Sequence, residues 1–495
     1  MIASVDDIVT RIVGIIKANN ANIVPKPGSI VHDGFVLPGS TALSWDSALQ
    51  AFSQAIQSLD QILILKNDTD FQVAVAEALG ISVDAVVGLL SASIDRKALD
   101  HRLTRKPPTK ATSLAYYFTT NAPAEDSIVP AGSQIQTPQG VQYTVTTSVV
   151  LLQSQLAAYY DPALLAYAIA APVEANISGP GSNVAAGQLI YPVGTMPNNF
   201  TGVTNKYLID NGYEAETDEQ FVDRIKTTLA GTSLQTANGM KALILNNTDV
   251  RTVFIADASS PFQIRNSGKG GVVDIYTLDN IPALVSDIVN SPSTDQYLAH
   301  QPVIDIVSVI GTDQYGVATT FTEGSTGVTG DYYFVKDTNP ISSNSVRAFD
   351  KISWPGALPT SYVVSYAYNQ VLSTVQALVT EDENRPLMGD ITTSILTRQG
   401  TEVPVEISYQ IVVFGNYSRT EVIRQAVNNI TAYVNGLTFG ASLAQSDIIN
   451  VLENTPGINS VETVPITFNR VGGVIEEIIT ANAYEYLRAS SVVIV

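Results

Sequence analysis

Four acids stand close together at Glu214, Glu216, Asp218 and Glu219. Clustered carboxylates can hold a cation or serve as the acid and base of glycoside hydrolysis. Their setting suggests a plainer task. Thr217 and Gln220 have capping-box spacing, so the acids straddle a helix start, where the helix dipole favours negative charge. The three histidines, His32, His101 and His300, lie far apart, in no metal-ligand spacing, and read as surface or loop residues. His32-Asp33 lacks the Gly-x-Ser-x-Gly elbow that a hydrolase would bring with it. Gly268-Lys269-Gly270-Gly271 lacks the spacing of a phosphate-binding loop and reads as a turn before a strand. In Gly179-Pro180-Gly181-Ser182-Asn183-Val184, Val184 stands where a dinucleotide loop needs its third glycine, so a tight turn is expected. Glu381-Asp382-Glu383 reads as a solvated acidic run. The residues thus point to no catalytic group, no cofactor and no metal.

The elements around these residues follow from hydrophobic spacing. Up to about Arg105 the pattern is helical, beginning with Ile8, Ile12, Ile15 and Ile16 and continuing through Trp45, Ala48, Phe52, Ile56, Leu59 and Ile62. From 111 to 200 it changes to short alternating segments, with strands near 114–118 and 143–150 and glycine turns at Gly132 and Gly140. The helix after Thr217 presents Phe221, Ile225 and Leu229 and stops at Gly231; a second helix fits 237–245, and strands fit 251–256 and 272–276. A related pattern returns near the C-terminus. Val405, Ile407, Tyr409, Ile411 and Val413 alternate along a strand. Ser418-x-x-Glu421 is a second capping box, the stripe Val422, Ala426, Ile430 and Val434 ends at Gly436, and strands fit 460–468 and 474–480.

These patterns predict an α+β multidomain chain. A helical N-terminal region covers 1–110 and a β-rich domain 111–205. An α/β module covers 206–302, an inserted β-rich domain with a return helix 303–400, and a C-terminal α/β module 401–495. The two modules share a helix–helix–strand design, and Gly231-Thr232-Ser233-Leu234 parallels Gly440-Ala441-Ser442-Leu443; ferredoxin-like halves are one form they could take. A hinge is expected at residues 200–211 from their Gly, Asn and Thr content.

Composition narrows the function classes. The net charge is −20, with no Lys/Arg cluster to reverse it locally, which argues against nucleic acid and anionic membranes as partners. With no cysteine, disulfides, thiol nucleophiles and Cys-based zinc sites are excluded. Asp6 and Asp7 stand where a signal peptide would be basic, and no apolar run reaches membrane-spanning length, so membrane insertion is not expected. Only 15% of residues are charged, which suits surfaces buried against partners.

Four motifs, in order, resemble the baseplate J-like family of contractile-tailed bacteriophages and related injection machines. The first comprises Leu99-Asp100, Arg105-Lys106-Pro107-Pro108 and Val129-Pro130-Ala131-Gly132-Ser133. The second, Gly181-Ser182-Asn183-Val184-Ala185-Ala186-Gly187, is similar to a Gly-Asn-Val-x-Ala-Gly turn. The third is the acidic helix start with Gly212, Glu214, Glu216, Asp218, Glu219 and Arg224, and the fourth includes Ser446, Leu452 and Pro456-Gly457-Ile458. Pro27-Gly28 to His32-Asp33 adds a weaker likeness, and 303–368 shows the least. The resemblance implies a structural, non-enzymatic wedge protein of the virion's tail baseplate, assembled in the host cytoplasm. It further implies a ring around the tail hub that passes on the rearrangement starting sheath contraction. Implied partners are further copies of the chain, the hub, the sheath initiator and other wedge subunits. A tail fibre or spike, or a carboxylate-dependent polysaccharide-degrading enzyme, is the alternative.

Overall fold

The structure is a computed structural model that describes residues 5–19, 27, 50, 52–54, 57–231, 236–257, 260–263, 265, 271–278, 280–325, 329–380 and 394–495. Trp45, Ala48, His32-Asp33, Gly268-Lys269-Gly270, Thr232-Ser233-Leu234 and Glu381-Asp382-Glu383 lie outside the described residues. The architecture is mixed α+β, with helices and several separate sheets. The chain divides into two compact units, Met1–Lys106 with Glu216–Ala230, and Pro107–Ala215 with Gly231–Val495.

The first unit is helical. Its helices Leu59–Lys66, Thr69–Leu79 and Val83–Asp100 are punctuated by short polar caps: Asp68 accepts from the Phe71 N–H and Ser82 from the Ala85 N–H. Ile62, Phe71, Val75, Val86, Leu90 and Ile94 form its core, completed by Phe221, Val222 and Ile225 of the helix Asp218–Ala230. That helix therefore belongs with the N-terminal helices, whereas its sequence neighbourhood had grouped it with 206–302. Val222 is buried beside Phe221 and Ile225, whereas Leu229, expected on that face, is exposed.

The second unit begins with an antiparallel sheet built on the strands Lys110–Thr119 and Ala166–Ser178, which pair along nearly their whole length. The expected strand at 143–150 is two strands, Gln142–Val145 and Val149–Leu151, in different sheets. Strand Val272–Thr277 pairs antiparallel with Val253–Ala256 and parallel with Ser394–Gln399. The interposed chain forms two four-stranded sheets and then the helix Gln370–Thr380. This β region starts earlier than position 303, because Pro282–Val289 pairs residue by residue with Ser361–Asn369. At the C-terminal end, Thr401–Tyr409 lies between Thr467–Arg470 and the parallel strand Glu485–Ile494. The helices Arg419–Asn435 and Gln445–Glu453 contribute Val422, Ala426, Ile430, Val434, Ile448 and Leu452 to that core.

Several local expectations are met only in part. Ser418 is the N-cap of its helix but its side chain makes no cap bond, and the Glu421 carboxylate pairs with Arg424 at 2.5 Å in place of the Ser418 N–H. Gly436 does close that helix, with right-handed backbone and its N–H directed to the Ala432 and Tyr433 carbonyls. The strand expected across 474–480 is reduced to Ile478–Thr480. The hinge expected at 200–211 is instead tied down. Asn205 accepts from the Gln188 and Leu189 N–H groups and donates to the Ala185 and Tyr207 carbonyls, while Ile209 and Val184 exchange backbone hydrogen bonds.

Candidate functional site

The residues singled out by sequence collect at three junctions. In the first unit, Thr217 and Gln220 form the expected reciprocal box: the Thr217 N–H donates to Gln220 Oε1 at 3.0 Å and the Gln220 N–H to Thr217 Oγ1 at 3.3 Å. Glu219 is exposed in the first turn, as a dipole-complementing acid would be. Glu216 and Asp218 do more. Arg224, two turns along, reaches back to Glu216 with Nε–Oε1 and Nη2–Oε2 both at 2.7 Å, and Nη2 also donates to the Thr104 carbonyl. The Lys106 N–H donates to the same carboxylate. Burial works against this charge, but the Arg224 bonds and the Lys106 N–H hold the Glu216 carboxyl below its usual range. Asp218 is treated likewise: Lys66, Ser91 and Arg105 converge on it, outweigh its burial and hold its carboxyl down. Neither acid is left free to act as a catalytic acid or base.

In the second unit the Gly179–Val184 stretch is the expected tight turn, with a short 3₁₀ segment Pro180–Ser182. Asn183 and Gly212 form a two-way link: the Gly212 N–H donates to Asn183 Oδ1 at 2.8 Å, and Asn183 Nδ2 donates to the Gly212 carbonyl at 3.1 Å. A Cβ at Gly212 would lie 2.7 Å from the Gly179 carbonyl oxygen, so this crossing admits only glycine. Asn211 beside it donates to the Thr112 and Asn280 carbonyls and accepts from the Thr112 N–H. Gly187 donates to the Asn205 carbonyl at 2.7 Å, and Gly181 packs toward the helix Arg419–Asn435. In the Pro130 turn, Ser133 caps the Pro130 carbonyl, while the Gly132 N–H, at positive φ, donates to Val145.

Pro456 and Gly457 form the third junction, after the helix Gln445–Glu453. Pro456 is exposed, and the Gly457 carbonyl accepts from Phe414. Gly457 has φ +95°, and a Cβ there would meet Val422 Cγ2 at 2.6 Å.

Sequence reading missed several buried charge groups, among them Arg265 with Asp274 at 2.6 Å. Lys206 Nζ sits 2.7 Å from Asp161 and 2.8 Å from Asp305, beside a cavity of about 20 Å³ that Tyr116, Tyr332 and Glu323 also line. That volume suits a single water and not a sugar. Burial pushes the Glu323 carboxyl up to about 7, with Asp305 and Asp161 adding to the shift and Lys206 opposing it. Elsewhere Asp210 accepts from the Tyr486 hydroxyl at 3.3 Å, with Arg488 nearby; burial raises its carboxyl to about 6 against the pull of Arg488. These residues lie too far apart in sequence for spacing to betray them. Of the histidines, His101 caps an exposed helix end, and the His300 backbone N–H donates to the Tyr366 hydroxyl, which donates to Asp287. Among the described residues, no group of three or more His, Cys, Asp or Glu side chains is arranged to hold a metal ion.

No family model matches the chain, and no curated protein matches it. Among solved structures it is matched to a chain of the anti-feeding prophage (AFP) baseplate, 6-fold symmetrised, at 11% identity over 98% of each chain, with a TM-score of 0.30.

Proposed function

We propose that this chain is a structural component of the tail baseplate of a contractile phage or related injection machine. Within it, the chain acts as a wedge protein that forms a ring around the hub and transmits the rearrangement that starts contraction. The observation that carries this reading is that motifs separated in sequence bond to one another. Asn183 of the second motif grips Gly212 of the third, and Lys106 of the first meets Glu216 of the third. Residues that carry the resemblance to the baseplate J-like family are thus spent on holding the backbone, which suits a scaffold and leaves them no role in catalysis. The partners on this reading are further copies of the chain, the hub, the sheath initiator and other wedge subunits. Its place is the virion's tail, after assembly in the host cytoplasm, with no enzymatic step.

The test is light scattering on the chain alone and after co-expression with the products of its neighbouring genes. A defined hetero-complex with more than one copy of the chain is the expected result. A stable homotrimer that ignores those neighbours would overturn it in favour of a fibre or spike. A lone monomer that cleaves polysaccharide would overturn it in favour of an enzyme.

A further inference from the structure

The first sheet and the inserted β region meet at a small apolar patch with a cluster of charge beside it. In the patch, Ile304 and Ala367 of the inserted region pack with Leu114, Tyr116 and Ala170 of the sheet. The charges come from both sides. Asp161, on the short strand Tyr160–Asp161, and Lys206, just beyond the strand Gly202–Thr204, come from the sheet. Asp305, on Val303–Thr312, and Glu323, on Glu323–Gly324, come from the inserted region. Lys206 spans the join, its Nζ donating to Asp161 and to Asp305. Glu323 lines the same small cavity, yet its carboxylate makes no hydrogen bond or ion pair among the described residues. Three acids thus share one ammonium group, and full ionisation leaves the excess negative charge shut away from water. A proton on the unpaired acid is the most direct relief.

The other groups facing Glu323 are neutral or engaged. Tyr116, Tyr159 and Tyr160 face it from the sheet, Tyr207 stands beside Lys206, and Tyr332 lies on the strand Tyr332–Val335. Burial, and then the nearby acids, push the Tyr116, Tyr207 and Tyr332 hydroxyls up, so these stay neutral. Asp331 accepts from the Thr322 N–H and hydroxyl, and Lys336 stands against the Tyr207 and Phe334 rings, 5.9 Å from each centre.

We propose that this join is a proton-operated latch: a proton on Glu323 keeps the inserted β region closed on the first sheet, and its loss opens that contact locally. The latch goes beyond the wedge reading and does not depend on it. Burial raises the Glu323 carboxyl from 4.5 to about 7, with Asp305 and Asp161 adding to the shift. Closure is therefore full below 4.5 and fades as the pH climbs through about 7. Between pH 6 and pH 8 the ratio of open to closed should rise about tenfold. The region stays tethered elsewhere, because Arg398 donates to the Pro340 and Ser343 carbonyls.

The chain has no cysteine, so a single introduced thiol reports on its own surroundings. Ala170→Cys places one in the apolar patch, and Ala426→Cys places a reference in the C-terminal core; both alanines are buried. Labelling of each full chain by a disulfide reagent is timed at pH 6 and at pH 8. Each rate is divided by that of the same chain in denaturant at the same pH, which removes the thiol's own pH dependence. The quotient measures opening even when the open form is rare. At position 170 it should rise about tenfold with pH, and by less than about twofold when Glu323→Gln is added. At pH 8 it should also be larger at 170 than at 426. No rise at 170, or the same rise with Glu323→Gln, refutes the latch. Equal quotients at 170 and 426 show that the join opens only on global unfolding and refute it too. If Ala170→Cys lowers the melting temperature, Ala367→Cys on the facing strand takes its place under the same outcomes.

Discussion

Replacing Arg224 by methionine removes at least three hydrogen bonds in one step, two to Glu216 and one to the Thr104 carbonyl among them. Glu216 is only 7% exposed, so it cannot turn to water for compensation. Breaking one side of a buried ion pair costs about 3–5 kcal/mol. Much of this is the cost of stranding a charge, and the carboxyl can escape it by taking up a proton. From an ordinary value of 4.5, protonation at pH 7 costs about 3.4 kcal/mol, but at pH 5 only about 0.7 kcal/mol. The penalty of the substitution should therefore shrink by up to about 2.7 kcal/mol between pH 7 and pH 5. In the wild type the Glu216 carboxyl lies below its ordinary value, so its contribution is present above that value and lost as pH falls through the depressed one. Hydrogen exchange read by mass spectrometry on 218–230 measures local opening, with the helix Arg419–Asn435 as internal reference. A methionine pair at 216 and 224 should recover most of the loss, because it strands no charge. A single-variant penalty below about 1 kcal/mol, or one that does not change with pH, would refute the reasoning.

Two further outcomes follow from geometry. Gly457→Ala forces a side chain into left-handed backbone and against Val422 and Tyr417, and should cost about 2–4 kcal/mol. Gly472→Ala, also at positive φ but facing open space, should cost only about 1 kcal/mol; equal melting temperatures for the two would show that the crowding is not real. Glu323 titrates in the opposite sense to Glu216. Its raised carboxyl favours folding below 4.5, and the contribution fades as pH climbs to about 7, by about 3 kcal/mol in all. Glu323→Gln should flatten the stability profile across that window, relative to wild type, in pH-resolved thermal unfolding. An unchanged difference between the two proteins from pH 4.5 to 7 would sink the assignment.

Local chemistry was legible where a residue's partner lies within a turn or two. Thr217 and Gln220 announce their box because the two groups sit three residues apart, and the tight turn at Gly179 follows from its own punctuation. The same logic misfires at Ser418, where Glu421 has a nearer cation in Arg424. What spacing could not supply is the far partner. Asp218 reads as a dipole acid until Lys66 and Ser91 arrive from other helices and Arg105 from the segment after one of them, and the segment 200–211 reads as loose until Asn205 and Asn211 find their backbone targets. Lys206 with Asp161 and Asp305 left no trace in spacing, because each residue is unremarkable among its sequence neighbours.

The parallel pairing of Val272–Thr277 with Ser394–Gln399 sets a schedule for synthesis. As the chain leaves the ribosome, Val272–Thr277 can find Val253–Ala256 at once, but its other edge must wait until residue 394 emerges. The interposed β region can fold in that interval, and its first and last strands begin and end on partners, Pro282 opposite Asn369. The two points of attachment are therefore neighbours. That attachment is one of several holds: Ile304 and Ala367 pack with Leu114, Tyr116 and Ala170, and Arg398 donates to the Pro340 and Ser343 carbonyls, so sequence could be gained or lost in the region only at turns away from these contacts.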